Sequence, residues 1–224
     1  MPLDSSLNTR LDNNSIFGEL ITLIEEDKRL GKEEAIEVTL PYSKDNFGVP
    51  PNLYIIGTMN TADRSVEALD AALRRRFSFE EMPPDLSLIK KEGKLKEEGI
   101  CLPSLLETIN RRIEKLLDKD HLIGHSYFMN ITDLDSLKFA FQSKINPLLQ
   151  EYFFGDFGKI GLVLGSGFFE EDSKTREDKN LFADFVEYES SDFAERPIYR
   201  LKDVSKMRDD EFKSAIDKIT EKIN

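Results

Sequence analysis

One stretch, Asn52 to Phe79, limits what this chain can fold into more than any other. It opens on Leu53-Tyr54-Ile55-Ile56, a short apolar run bounded by Pro50-Pro51 and Gly57. Its β-branched and aromatic content predicts a buried strand. A polar cluster follows, Thr58 to Ser65, and then a helix. Ser65 suits its N-cap, Glu67 places a carboxylate in the first turn, and Val66, Leu69, Ala72 and Leu73 share one face. Arg74-Arg75-Arg76 closes it, cations at the end where the helix dipole favours them, and Phe77-Ser78-Phe79 alternates like a second strand. Ligands of open α/β sheets bind beyond the carboxyl ends of strands, which is where Asn60 and Asp63 fall.

The flanks are read by periodicity. Ile16, Leu20, Leu23 and Ile24 predict an amphipathic helix to Asp27 after a polar lead-in. Alternation at Ile36, Val38 and Leu40, with a turn and a second short strand by Val49, predicts a hairpin. Pro83-Pro84-Asp85 is the strongest breaker and sets a boundary between residues 1–82 and 83–224. Beyond it the pattern is mostly helical. A short charged helix is expected from Leu86 to Leu95. A longer one starts near Pro103 and buries Leu105, Leu106, Ile109, Ile113, Leu116 and Leu117. His121 to Asn130 reads as extended. A further helix, capped by Asp133 or Asp135, buries Leu137, Phe141, Ile145, Leu148 and Leu149, with a kink or break at Pro147. Phe128, Phe153, Phe154, Phe168 and Phe169 read as core, and Gly165-Ser166-Gly167 as a loop. A strand at Ile198-Tyr199 and a helix from Ser205 to Ile223 end the chain.

Composition excludes several classes. The net charge of −12 argues against a strong nonspecific nucleic-acid binder, because phosphate contacts need clustered Lys and Arg. One cysteine permits no internal disulfide and fits a reducing cytoplasm; with only two histidines, a zinc site is not expected. No apolar run reaches membrane-spanning length. No Gly-Lys-Ser or Gly-Lys-Thr, the core of a phosphate-cradling P-loop, occurs in the 224 residues.

The run GTMNTADRS followed by LDAALRRRF resembles the AAA+ motors of the McrB family, the GTP-hydrolysing subunits of modified-cytosine-dependent restriction systems. IFGELITLIEEDKR, LIGHSYFM and PLLQEYFFGDFGKIGLVLG extend the resemblance from about Ile16 to Gly165; the acidic tail beyond is not placed by it. The resemblance implies an α/β fold class: the C-terminal portion of an AAA+ P-loop NTPase sheet, then an α-helical lid subdomain. It implies that the P-loop and the acidic Mg²⁺-binding pair lie upstream of these residues, so that the chain is not expected to hydrolyse nucleotide alone. Asn60 matches the sensor-1 position, where a strand-tip amide faces the attacking water or the γ-phosphate; a local turn-capping Asn is the plain alternative. Arg74 to Arg76 stand where arginine fingers act. Successive helix residues lie about 100° apart, so at most two can serve one site, and Arg75 and Arg76 are favoured. Asp63 is expected to orient neighbouring arginines, and Arg64 to contact Asp63 or a neighbouring subunit. His125 lies where the family's lid meets nucleotide, or is a structural histidine beside aromatic core. No metal ligand is assigned in this chain. The family further implies GTP and Mg²⁺ as cofactors of the complete protein, a hexameric ring, an McrC-like nuclease partner, and DNA held only through other segments. Two alternatives stay open: an AAA+ ATPase of another specificity, and a non-catalytic regulatory or interaction fragment.

Overall fold

The structure, a computed structural model, describes residues 20–60, 62, 76–89, 94–170, 182–183 and 197–221. The chain forms two compact units, Met1–Glu81 and Met82–Asn224.

In the first unit, helix α1 (Leu20–Leu23) delivers Leu23 and Ile24 to a small apolar cluster with Val49. Ile21, Val38, Ile55 and Phe77 pack around it. The hairpin forms, shorter than its alternation suggested: β1 (Val38–Thr39) pairs antiparallel with β2 (Asn46–Phe47), Val38 opposite Phe47. Lys44, at φ 64°, turns the chain through the left-handed region between them.

Two expected strands are not strands. Leu53–Ile56 carries no ladder, and Tyr54 and Ile56 are 86% and 95% exposed. A strand exists through its partner's hydrogen bonds, and no described segment runs beside this one. Phe77–Phe79 forms none either; Phe77 packs on the Leu23 cluster instead. Among the described residues the sheet content is the two-stranded hairpin alone, so the chain is helix-rich rather than evenly α/β. The helix expected over Ser65–Arg76 lies outside the described residues except at its last position.

The second unit has one continuous core. A 3₁₀ turn at Leu86–Leu88 and α2 (Lys94–Glu97) lead to Gly99, at φ 84°, and into α3 (Leu102–Leu116). Pro103 sits in the first turn of α3, where its missing N–H costs nothing. Leu105, Leu106, Ile109 and Ile113 are fully buried. His121 to Asn130 is not extended: two 3₁₀ turns, Lys119–His121 and His125–Tyr127, carry it. Local capping explains the difference, since Asp118 accepts the Asp120 N–H at 2.9 Å and closes the first turn. Asp133 caps α4 (Leu134–Ala140) in a reciprocal box with Ser136.

A π turn, Phe141–Ile145, then joins α4 to α5 (Asn146–Tyr152), just ahead of Pro147. The helix ends in a Schellman pattern: Gly155 N–H reaches Gln150 O at 2.9 Å and Phe154 N–H reaches Glu151 O at 3.1 Å. This places Phe154 in the left-handed region, at φ 51°, and 97% exposed, so it is not core as its neighbours Phe128, Phe153, Phe168 and Phe169 are. The glycine-rich stretch folds as α6 (Phe157–Leu164), capped by Asp156, and Ser166–Phe168 is a 3₁₀ turn rather than an open loop. Ile198-Tyr199 is no strand; a single antiparallel bridge, Phe169 to Leu201, stands nearby. The terminal helix α7 (Asp209–Thr220) buries Phe212, Ala215, Ile216 and Ile219 in the same core. Gly167 makes this possible: a Cβ there would meet Ala215 Cα at 2.9 Å.

Candidate functional site

The expected site residues divide between the two units: Asn60 and Arg76 are described in the first, His125 in the second. Asp63, Arg64 and Arg75 lie outside the described residues.

Asn60 follows the Leu53–Ile56 run, exposed, and its Oδ1 accepts the Ala62 N–H at 3.1 Å. That is an Asx-type turn, the plain use of asparagine where a chain reverses. The carboxamide oxygen is thus engaged locally, and the amide can still donate through Nδ2. The run before it is fastened by Arg29, which sequence reasoning passed over. Its Nη1 donates to Leu53 O at 2.7 Å, and Nε and Nη2 donate to Ile24 O at 3.2 and 3.1 Å. One planar guanidinium thereby ties the residue after α1 to the start of the run. The signal was a cation just after a helix C-terminus, common enough to pass as solvated charge.

Arg76 is the described member of the arginine cluster. Its Nη2 pairs with Glu25 Oε1 at 2.5 Å, with the arginine side chain only 11% exposed. Glu25 follows α1, so this arginine is tied to its own unit.

His125 opens a 3₁₀ turn, and its Nδ1 accepts the Asp85 N–H at 3.0 Å. This contact assigns the proton of the neutral ring to Nε2. Asp85 caps its own turn: Oδ1 accepts from Ser87 N at 2.8 Å and Ser87 Oγ at 2.6 Å. These bonds hold its carboxyl below the usual carboxylate range. The preceding Ile123 is clamped by the Asn110 side chain, which donates to Ile123 O at 2.9 Å and accepts Ile123 N–H at 2.8 Å. Against this segment lies an open cleft of about 500 Å³, lined by Ser126, Tyr127, Ser143, Lys144, Pro147 and Glu151. Nearby, Asp118 Oδ1 meets His121 Nδ1 at 2.6 Å, and this bond, foremost, keeps the Asp118 carboxyl low. The ring of Tyr152 stands edge-on to His121 at 5.0 Å, and burial pushes its phenol up to about 12.

Among the described residues no group of three or more His, Cys, Asp or Glu side chains is arranged to hold a metal ion. No described helix is long and apolar enough to cross a membrane.

Comparison with known proteins fits this arrangement. Residues 101–161 match the family described as the McrB alpha-helical lid domain, and residues 9–77 the AAA domain of the dynein-related subfamily. In class, the chain thus resembles an AAA-type domain carrying a McrB-type helical lid. Within it, the chain resembles McrB in particular. It is 40% identical over 167 residues to the Type IV methyl-directed restriction enzyme EcoKMcrB subunit of Escherichia coli (strain K12), covering 66% of this chain and 35% of that protein. It is 27% identical over 193 residues to the Type II restriction enzyme BsuMI component YdiS of Bacillus subtilis (strain 168), covering 77% of this chain and 54% of that one. The chain thus spans about a third of the first relative's length and about half of the second's.

Proposed function

We propose that this chain supplies the sensor and arginine-finger portion, with the helical lid, of a McrB-like AAA+ GTPase that powers a DNA restriction complex. The observation that carries the reading is the 40% identity to a McrB subunit, beside the separate matches of the AAA and the lid stretches. In this reading Asn60 orients the attacking water, Arg75 and Arg76 reach nucleotide held by the adjacent subunit of a hexameric ring, and Asp63 and Arg64 shape that interface. His125 presents Nε2–H from the lid toward nucleotide. GTP, Mg²⁺ and an McrC-like nuclease belong to the complete assembly in the cytoplasm. Mg²⁺ is assigned to no residue of this chain, because the resemblance places its acidic ligands upstream. The 224 residues contain no Gly-Lys-Ser or Gly-Lys-Thr, which favours the second reading for the chain by itself, a non-catalytic piece that docks on a ring.

The chemistry demanded of the arginines is specific. Charge builds on the γ-phosphate oxygens in the transition state, and a planar guanidinium bridges two of them where an ammonium meets one. The test is a mixing experiment in complete subunits. One subunit carries Arg75→Ala with Arg76→Ala; the other lacks its P-loop lysine. Each alone should be inactive, and mixed rings should regain hydrolysis, because intact P-loops of the first type meet intact arginines of the second. Mixed rings that assemble without recovery would remove the proposed role in trans. Because Arg76 is bonded to Glu25, Arg75→Ala alone should account for the greater part of the loss.

A further inference from the structure

We infer that Arg29 is a positioning residue for Asn60, an inference that rests on the sensor role proposed above for that asparagine. Arg29 fixes the start of the run that leads to Asn60, and it does so from the turn that also holds Arg76. Its Nη1 donates to Leu53 O at 2.7 Å, seven residues before Asn60, while Nε and Nη2 both donate to Ile24 O. Glu25, the residue after Ile24, pairs with Arg76. The turn after α1 is thus one node, from which both the sensor run and the end of the arginine cluster take their place.

The node is itself tied down. Leu23 and Ile24 are buried with Val49, and Leu30, next to Arg29, donates its N–H to Val49 O at 2.8 Å. On the other side, Lys28 O accepts the Ile36 N–H at 3.0 Å. Ile55, within the run, packs on the same apolar cluster, as does Phe77, which follows Arg76. Among the described residues no ladder holds the run, so a guanidinium and one isoleucine stand in for a neighbouring strand. Beyond the run, Asn60 Oδ1 accepts the Ala62 N–H at 3.1 Å. That bond fixes the carboxamide relative to its own backbone and leaves Nδ2 to donate. Where the run goes, Nδ2 goes with it. A misplacement of about 1 Å at a reacting centre can cost about a hundredfold in rate, so a residue that touches no substrate can still govern the step. Arginine suits the task because one planar group reaches two carbonyls of different segments.

Two measurements separate the anchor from the sensor role. Arg29→Met keeps an apolar stem and removes every donor. In the full chain, backbone amide relaxation should give Tyr54 and Asn60 order parameters of the rigid kind, about 0.85, falling below about 0.6 in Arg29→Met, with Leu30 rigid in both. The second measurement is a cycle with Asn60→Ala in complete subunits, read as steady-state GTP hydrolysis. Arg29→Met alone should lower kcat about tenfold or more and leave KM within about twofold. Added to Asn60→Ala it should cost less than about twofold more, because its effect passes through Asn60. A loss that persists in full beside Asn60→Ala would overturn the inference, since Arg29 would then serve the fold alone. So would equal order parameters at Asn60 in parent and variant, or a Leu30 amide loosened as much as that of Asn60. If Asn60→Ala abolishes hydrolysis and Arg29→Met leaves it unchanged, the anchor falls and the sensor role stands. If Asn60→Ala hydrolyses at the parental rate while Arg29→Met loosens the run, the sensor role falls and the anchor stands.

Discussion

Single side chains in the second unit do work that helices cannot do for themselves. Arg112, on α3, donates through Nη1 to Val163 O at 2.7 Å and through Nη2 to Ile219 O at 2.9 Å. These carbonyls sit in the last turns of α6 and α7, where backbone acceptors lack helical partners and the dipole favours a cation. Arg112→Lys keeps the charge but loses the planar fork whose two separate nitrogens reach the two carbonyls. The expected cost is about 1–3 kcal/mol, read as a lower denaturant midpoint with an unchanged slope. Unaltered stability would mean that water serves both carbonyls equally well. Titration gives a second expectation. Asp85, Asp118, Asp203 and Asp209 are all held below the usual 3.8 by hydrogen bonds to Ser87, His121, Ser205 and Lys138 respectively. A depressed folded value contributes stability that is present above the unfolded value and is lost as pH falls through the folded one. The second unit should therefore hold its stability down to about pH 4 and lose it progressively below. At the alkaline end the sign reverses. The Tyr152 phenol is raised to about 12 in the folded chain, against 10.0 unfolded, so stability falls between those values. Asp118→Asn should flatten the acid limb, and Tyr152→Phe the alkaline one, in pH-dependent thermal unfolding.

At the scale of elements, the π turn is a consequence of spacing. Leu137, Phe141, Ile145 and Leu149 are all fully buried, and they lie four residues apart. In a helix of 3.6 residues per turn, each step of four overshoots by about 40°, so three steps would rotate Leu149 far from Leu137. One wide turn, with Asn146 N–H reaching back to Phe141 O, takes up that excess and keeps the four on one side. Pro147, which has no N–H to offer, sits where the widened turn ends. Deleting the exposed Ser143 should convert the turn to α-helix and leave Ile145 and Leu149 on the buried side, because the four then follow at i, i+4, i+7 and i+11, with cooperative unfolding kept. Pro147→Ala should be tolerated within about 1 kcal/mol, because the burial pattern and not the proline sets the turn. A deletion variant that unfolds without cooperativity would refute this account. The same logic explains what could be read in advance. α3, α4 and the Asp133 cap follow from local periodicity and hydrogen-bonding chemistry, so their residues announced them. Leu53–Ile56 reads as a strand because its composition suits one, but pairing is a property of two segments and one segment cannot report it. α6 was hidden by Gly158, Gly161 and Gly165, which look like loop until the Asp156 cap and the packing of Ile160, Val163 and Leu164 are seen. Of the candidate residues, the turn-capping use of Asn60 was open to a sequence reading, and the Glu25 partner of Arg76 was not.

At the scale of the whole chain, the described residues of the two units differ in how much apolar surface they bury. The described residues of the first unit bury Leu23, Ile24 and Val49, each worth about 1.5–3 kcal/mol. Ordering a backbone costs about 1–2 kcal/mol per residue, so this cluster cannot by itself offset the ordering of the unit's described residues. The same unit exposes Tyr42, Tyr54 and Ile56 almost completely. Exposed apolar side chains on an unpaired, strand-like run are an invitation to association, by edge pairing or by covering the apolar side chains. The second unit instead buries a continuous core reaching from Ile89 to Ile219. Heating should therefore melt the first unit early and over a broad range, and the second later in one sharp transition. The apparent stability of the first unit should rise with protein concentration, because association adds the burial that the single chain lacks. Sedimentation across a hundredfold concentration range should show self-association. A double variant, Tyr54→Lys with Ile56→Lys, should reduce association and leave the late transition where it was. A chain that stays monomeric at high concentration and unfolds in a single sharp transition would sink the argument, since the first unit would then have found its burial within its own chain.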